Sequence, residues 1–169
     1  MSDCINVEIR ALSLKLANTL IVQNKTIAVA ESCTGGWLSK VLTDLPGSSE
    51  WFLGGVVSYS NAAKCKLLQV DKGSLDKFGA VSTEVAQQMA AGVQRVFSAS
   101  MALSTTGIAG PSGATPDKPI GLVHFATHSS TQLITTEAKI LTGDRKQIRQ
   151  GAVLMALHIL LRELAVSAR

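Results

Sequence analysis

Four short segments carry the residue types that could do chemistry. The first is Ala30-Glu31-Ser32-Cys33-Thr34-Gly35-Gly36, where an apolar β-branched run gives way to a helical pattern. A hydroxyl there would sit at the carboxyl end of a strand, where α/β folds gather their ligands. Free amides at the helix start could hold an oxyanion, and two glycines would let a substrate come close. The plainer role for Ser32 or Thr34 is a helix N-cap. The segment is not the G-x-S-x-G elbow of the α/β-hydrolases.

The second segment, Tyr59-Ser60-Asn61-Ala62-Ala63-Lys64, runs from a strand end into a helix. With Asn61 as N-cap, Lys64 becomes the third helical residue, where the positive end of the helix disfavours an ammonium. That field and partial burial would move the Lys64 pKa toward neutrality. A fall of about three units corresponds to roughly 4 kcal/mol in favour of the free amine. A neutral lysine can take the proton of a serine; a charged one cannot. The competing role is a solvated surface lysine, the role expected for Lys66.

The third segment, Thr105-Thr106-Gly107-Ile108-Ala109-Gly110-Pro111-Ser112-Gly113, continues to Lys118-Pro119-Ile120-Gly121. A loop of this kind offers backbone donors to an anion or an amide, or serves only as a long turn. It matches neither a Walker A nor a G-x-G-x-x-G pattern. The fourth is Gly143-Asp144-Arg145. An arginine at a helix start opposes the dipole, which makes sense if an anion binds there; the alternative is a pair with Asp144. Cys33 adjoins Ser32, but no histidine lies in these segments to activate it. His124 and His128 would share one face of a strand at about 13 Å, too far apart for a common metal.

The elements that must position these groups are legible as periodicities. Ile5, Ile9, Leu12, Leu16 and Leu20 recur at helical spacing. Thr26–Ala30 reads as a buried strand, followed by a helix from Thr34 or Gly35 to about Leu45, closed at Pro46-Gly47. Gly54–Ser60 reads as a second strand and the residues from Asn61 to Leu68 as a short helix. Ser82 caps a helix over Thr83–Ser98, with Val85, Met89, Val93 and Val96 or Phe97 inward. Met101–Thr105, Ile120–Thr127 and Leu133–Leu141 read as three further strands, the last two a hairpin. Asp144 caps a final helix reaching about Ala165. The order of elements predicts a three-layer α/β/α domain with a mixed sheet, one α/β domain over residues 1–169.

Composition narrows the classes. Hydrophobic residues make up 46% and charged residues 17%, which argues against disorder. The apolar stretch Gly151–Leu161 is too short to span a bilayer. With no secretion signal, the cytoplasm is the default compartment. Cys4, Cys33 and Cys65 form no C-x-x-C pair and suggest neither zinc nor a disulfide frame. A net charge of +4 with dispersed Lys and Arg argues against nucleic acid and for an anionic small substrate. The sheet edge and first helix could each dimerise, so a homo-oligomer is expected.

AESCTGG, YSNAAK, GAVS, TTGIAGPSG, KPIG and GDR, in this order, resemble the C-terminal domain of the CinA (competence/damage-inducible) family. The likeness runs from about Thr26 to the last helix. Members of that family that act as enzymes are nicotinamide-nucleotide amidohydrolases. The resemblance therefore implies hydrolysis of nicotinamide mononucleotide to nicotinate mononucleotide and ammonia, with no cofactor and no metal. Ser32 matches the family's nucleophile and Lys64 its base; Tyr59 is the motif tyrosine, expected as a third catalytic residue that helps return a proton to the leaving ammonia, and Arg145 is the arginine of GDR. Amides around Cys33, Thr34, Gly35 and Gly36 would hold the oxyanion, while Thr106, Gly107 and Arg145 would meet the rest of the substrate. The chain looks like the stand-alone form, without the larger members' N-terminal domain. Ala114 stands where a glycine is expected, a departure that bears on substrate fit. A non-catalytic nucleotide-binding module of the same fold is the alternative.

Overall fold

The computed structural model describes residues 2–129 and 133–166. Five strands form one sheet in the order β2-β1-β3-β4-β5. They are β1 (Ile27–Glu31), β2 (Phe52–Val57), β3 (Met101–Gly107), β4 (Leu122–Ser129) and β5 (Leu133–Ile140). The first three run parallel, and the β4–β5 hairpin adds two antiparallel strands, so the sheet is mixed as the order of elements predicts. Six helices cover it: α1 (Ser2–Val22), α2 (Trp37–Thr43), α3 (Asn61–Leu68), α4 (Lys72–Phe78), α5 (Thr83–Phe97) and α6 (Arg145–Val166).

The alternation of side chains along β1 and β3 decides which helix lies on which face. Ile27, Val29, Met101 and Leu103 point to a core shared with α1, α2 and α6, where Leu16, Leu20, Leu38, Val153 and Leu157 are buried. Ala28, Ala30 and Ala102 point the other way, toward Val85, Met89 and Val93 of α5. Small residues on that face let α5 lie close to the sheet, and Ser104 Oγ donates to the Ala86 carbonyl at 2.6 Å. The result is the α/β/α layering expected. Among the described residues no helix is long and apolar enough to cross a membrane.

Several elements differ from expectation. Helix α2 begins at Trp37, because Gly35 and Gly36 take left-handed φ of 59° and 89° and keep Ser32–Gly36 in a turn. Strand β2 starts at Phe52 and ends at Val57, short of Ser60. The N-cap of α3 is Ser60, whose hydroxyl accepts from the Ala63 amide at 3.1 Å, and Asn61 is its first residue. Helix α4 has no counterpart in the sequence reading: its seven residues bury only Leu75, too little for a periodic signal. Ser82 caps α5 as expected, and Phe97 is the inward residue at its end while Val96 is exposed. Asp144 opens α6 through a capping box: its carboxylate accepts from the Gln147 amide and the Gln147 side chain accepts from the Asp144 amide, each at 2.8 Å.

Candidate active site

Glu31 on β1 pairs with Val57 on β2 and Thr105 on β3, so three parallel strands end side by side. The residues that follow them meet there. The Ser32 amide donates to the Thr105 carbonyl at 3.0 Å, and the Ser58 amide donates to the Glu31 carbonyl at 2.9 Å. Beyond Ser32 the chain turns sharply, closed by the Gly35 amide on the Ser32 carbonyl at 3.1 Å.

Three further anchors hold that turn. Glu31 is fully buried, and its carboxylate accepts from the Gly36 and Leu38 amides at 3.0 Å each, and from the Ser39 amide and hydroxyl at 2.7 and 2.6 Å. A negative group facing the first amides of α2 complements the helix end as a cap does. The Thr34 hydroxyl bonds that of Thr105 at 2.8 Å. From α6, Arg149 donates through Nε to the Cys33 carbonyl at 3.1 Å and through Nη2 to the Thr34 carbonyl at 2.7 Å.

Lys64 reaches the turn from α3. It is 1% exposed, and its Nζ lies 3.0 Å from Ser32 Oγ, 2.8 Å from the Ser58 carbonyl and 3.5 Å from the Tyr59 carbonyl. No carboxylate is among these neighbours, and burial lowers the Lys64 pKa from the ordinary lysine value. Burial is one of the two causes read in the sequence. With Ser60 as cap, Lys64 is the fourth helical residue, one place further from the helix end than expected, and withdrawal from water is the leading cause that disfavours its charge. Nζ donates to all three oxygens in this arrangement; in the free amine two N–H bonds would serve the carbonyls and the lone pair would face the serine hydroxyl.

Ser32, Cys33, Tyr59, Lys64, Thr106, Gly107 and Arg145 all line one cleft of about 330 Å³, closed by Ile108–Gly110 and by Ser112 and Gly113. That volume lies in the range of small-molecule sites. Arg145 donates through Nη1 to the Gly110 carbonyl at 2.8 Å and through Nη2 to the Tyr59 hydroxyl at 3.0 Å, so it ties the glycine loop to the strand-end tyrosine and makes no pair with Asp144. Gly107 has a spatial reason: a Cβ there would meet the Leu122 carbonyl at 2.6 Å. The Thr106 hydroxyl donates to the Ala80 carbonyl at 2.7 Å, leaving its stem as cleft wall.

The remaining expected contacts are not at the cleft. Thr34 is buried behind the turn, and Gly35 and Gly36 line a different cavity. The Gly36 amide is taken by Glu31 and the Gly35 amide by Ser32, which removes both from the expected oxyanion donors. The Cys33 and Thr34 amides have no oxygen acceptor among the described residues. Burial pushes the Cys33 thiol up to about 11, so it stays protonated beside the serine. His124 and His128 lie outside the cleft, His124 bonding Thr83 Oγ1 at 3.2 Å. Ala114 is exposed and outside the lining.

The profile of the CinA C-terminal domain matches residues 9–164. The chain belongs to the CinA C-terminal domain family. It is 51% identical over 148 residues to a competence-damage inducible protein of Thermoanaerobacter sp. (strain X514), covering 86% of this chain and 35% of that one. A CinA-like protein of Syntrophomonas wolfei is also 51% identical, over 149 residues, covering 88% of this chain and 35% of the relative. The chain thus spans about a third of the length of these curated relatives. Among solved structures, the competence/damage-inducible protein of Agrobacterium tumefaciens superposes with a TM-score of 0.89 at 36% identity, covering 92% of this chain and 94% of that one. A CinA superfamily protein of Escherichia coli gives 0.87 at 35% identity, covering 90% and 88%.

Two residues of this CinA domain escaped the sequence reading. Glu31 carried a signal, a carboxylate just before a helix start, but five to eight residues separate it from the amides it caps. Arg149 carried none, because it meets the turn from a helix more than a hundred residues away.

Proposed function

We propose that this chain hydrolyses the carboxamide of nicotinamide mononucleotide to nicotinate mononucleotide and ammonia. The observation that carries the reading is the 3.0 Å approach of Lys64 Nζ to Ser32 Oγ at the wall of the cleft, in a setting that favours the free amine. Lys64 takes the Ser32 proton as Oγ attacks the carboxamide carbon. The tetrahedral oxyanion forms near the Cys33 amide, which has no oxygen acceptor among the described residues and belongs to the cleft wall. As the C–N bond breaks, Lys64 returns the proton to nitrogen and ammonia leaves, with an ester on Ser32. Water then gives a proton to Lys64 and attacks the ester, and the proton passes back to Oγ as the carboxylate departs. Atoms balance as amide plus water to acid plus ammonia. Arg145 is the candidate for the substrate phosphate, since two of its five N–H bonds are engaged and three remain.

Ammonia release from nicotinamide mononucleotide tests this directly. Wild type should turn over, unaffected by a chelator, and Ser32→Ala should lose roughly a thousandfold or more in kcat. Undiminished release from Ser32→Ala would remove the nucleophile. Binding without ammonia in wild type would make the chain a nucleotide-binding module.

A further inference from the structure

The nucleophile turn has a second side. Behind it lies a larger cleft of about 720 Å³, between α1, α2 and the start of α6. Asn6, Ile9, Arg10 and Ser13 form its α1 wall, at the spacing that puts them on one helix face. Trp37, Lys40 and Asp44 form the α2 wall, and Gly35, Gly36 and Arg149 close the end. The two clefts therefore share the turn as a partition.

The chemistry of this cleft is that of an anion site with a ring platform. Lys40 is neutralised by Asp44 at 2.5 Å, but Arg10 and Arg149 make no ion pair among the described residues. Arg149 spends two N–H bonds on the turn carbonyls and keeps three. Its guanidinium lies 5.3 Å from the centre of the half-buried Trp37 ring. Ser13 supplies the independent observation. It is 1% exposed, its hydroxyl has no hydrogen-bond partner, and it lines the cleft instead of bonding back along α1. A buried hydroxyl left unpaired costs about 1–3 kcal/mol, a cost that rotation of Ser13 onto a ligand oxygen in the cleft would relieve.

We infer that the α1–α2 cleft binds a small aromatic anion of the nucleoside monophosphate class, with its ring on Trp37 and its anionic group at Arg10 and Arg149. The site is separate from the proposed reaction centre. Its test reads tryptophan emission, since the only other tryptophan, Trp51, is buried in the core. AMP is the probe, with inorganic phosphate alongside. AMP should change the emission saturably, and phosphate, lacking a ring, should half-saturate at a concentration at least tenfold higher. Arg10→Ala, an exposed change that leaves the fold intact, should weaken AMP at least tenfold, and Ser13→Val should weaken it in the same direction. Trp37→Phe should remove the signal. No saturable change with AMP, or the same half-saturation in Arg10→Ala as in wild type, overturns the inference. Ammonia release plays no part in this readout, so failure of the proposed hydrolysis and failure of this site are told apart.

Discussion

At the scale of single residues, the pair Ser32–Lys64 turns on one proton. Burial favours the free amine in the fold, and the proposed reaction uses that amine as its base. The rate should therefore rise with pH as Lys64 loses its proton, and should level off below the ordinary lysine value of 10.5. Measured kcat/KM against pH should show one rising limb, and a limb still climbing at that value would mean an unperturbed lysine. Lys64→Arg separates charge from basicity. A guanidinium keeps a positive group beside Ser32 but stays protonated at any working pH. Ammonia release should fall roughly a thousandfold or more, as for Ser32→Ala; retained turnover would show that charge, not proton transfer, is what Lys64 supplies.

At the scale of elements, the serine is aimed by groups that do not line the cleft. Glu31 satisfies three amides and one hydroxyl at the start of α2. In Glu31→Gln the side-chain NH2 must face donors in either orientation, leaving at least one amide unpaired. The expected loss is about 2 kcal/mol or more, with a lower kcat as the turn loosens. Denaturant melts and kinetics on that variant check both; unchanged stability would mean the turn holds without its carboxylate. Gly92 on α5 gives a second element-level prediction, whose sign is contested by two effects. Helix propensity alone would make Gly92→Ala stabilising by about 1 kcal/mol. However, a Cβ at Gly92 would sit 2.2 Å from the Leu68 carbonyl at the end of α3. Backbone atoms cannot rotate aside, so overpacking should win and cost about 1–3 kcal/mol, read as a lower denaturation midpoint.

At the scale of the whole molecule, a buried lysine couples global stability to pH. Lys64 holds its proton more weakly in the fold than in the unfolded chain. Above the ordinary value of 10.5 both states are neutral and no penalty exists. As pH falls from there to the native pKa, the unfolded chain takes up the proton first and stability is lost; below the native pKa the loss is constant. Lys64→Met lacks this term. Its stability relative to wild type should rise as pH is lowered through that window and then level off, in paired denaturant melts. A pH-independent difference would show that Lys64 titrates alike in both states.

Periodicity and local signals made the layers legible. Helical spacing in α1 and α5, short apolar runs for the strands, and the serine cap of α5 lie within a few residues of each other in the chain. The same locality exposed Ser32, Lys64, Tyr59 and Arg145, since each belongs to a segment that spans an element boundary. What local signals could not supply was distance. Lys64 lies 32 residues from Ser32, and Arg149 lies 116 from Cys33. Their contacts exist because the sheet aligns the ends of β1, β2 and β3 and packs α6 across them. Tertiary packing also put Gly35 and Gly36 on the far side of the turn, while their amides went to the nearby Ser32 and Glu31. The sequence by itself determined the elements and the reactive residue types, because those depend on near neighbours. Which groups share water-free space, and so which proton is weakly held, was decided only by the fold, because burial is a property of the whole chain.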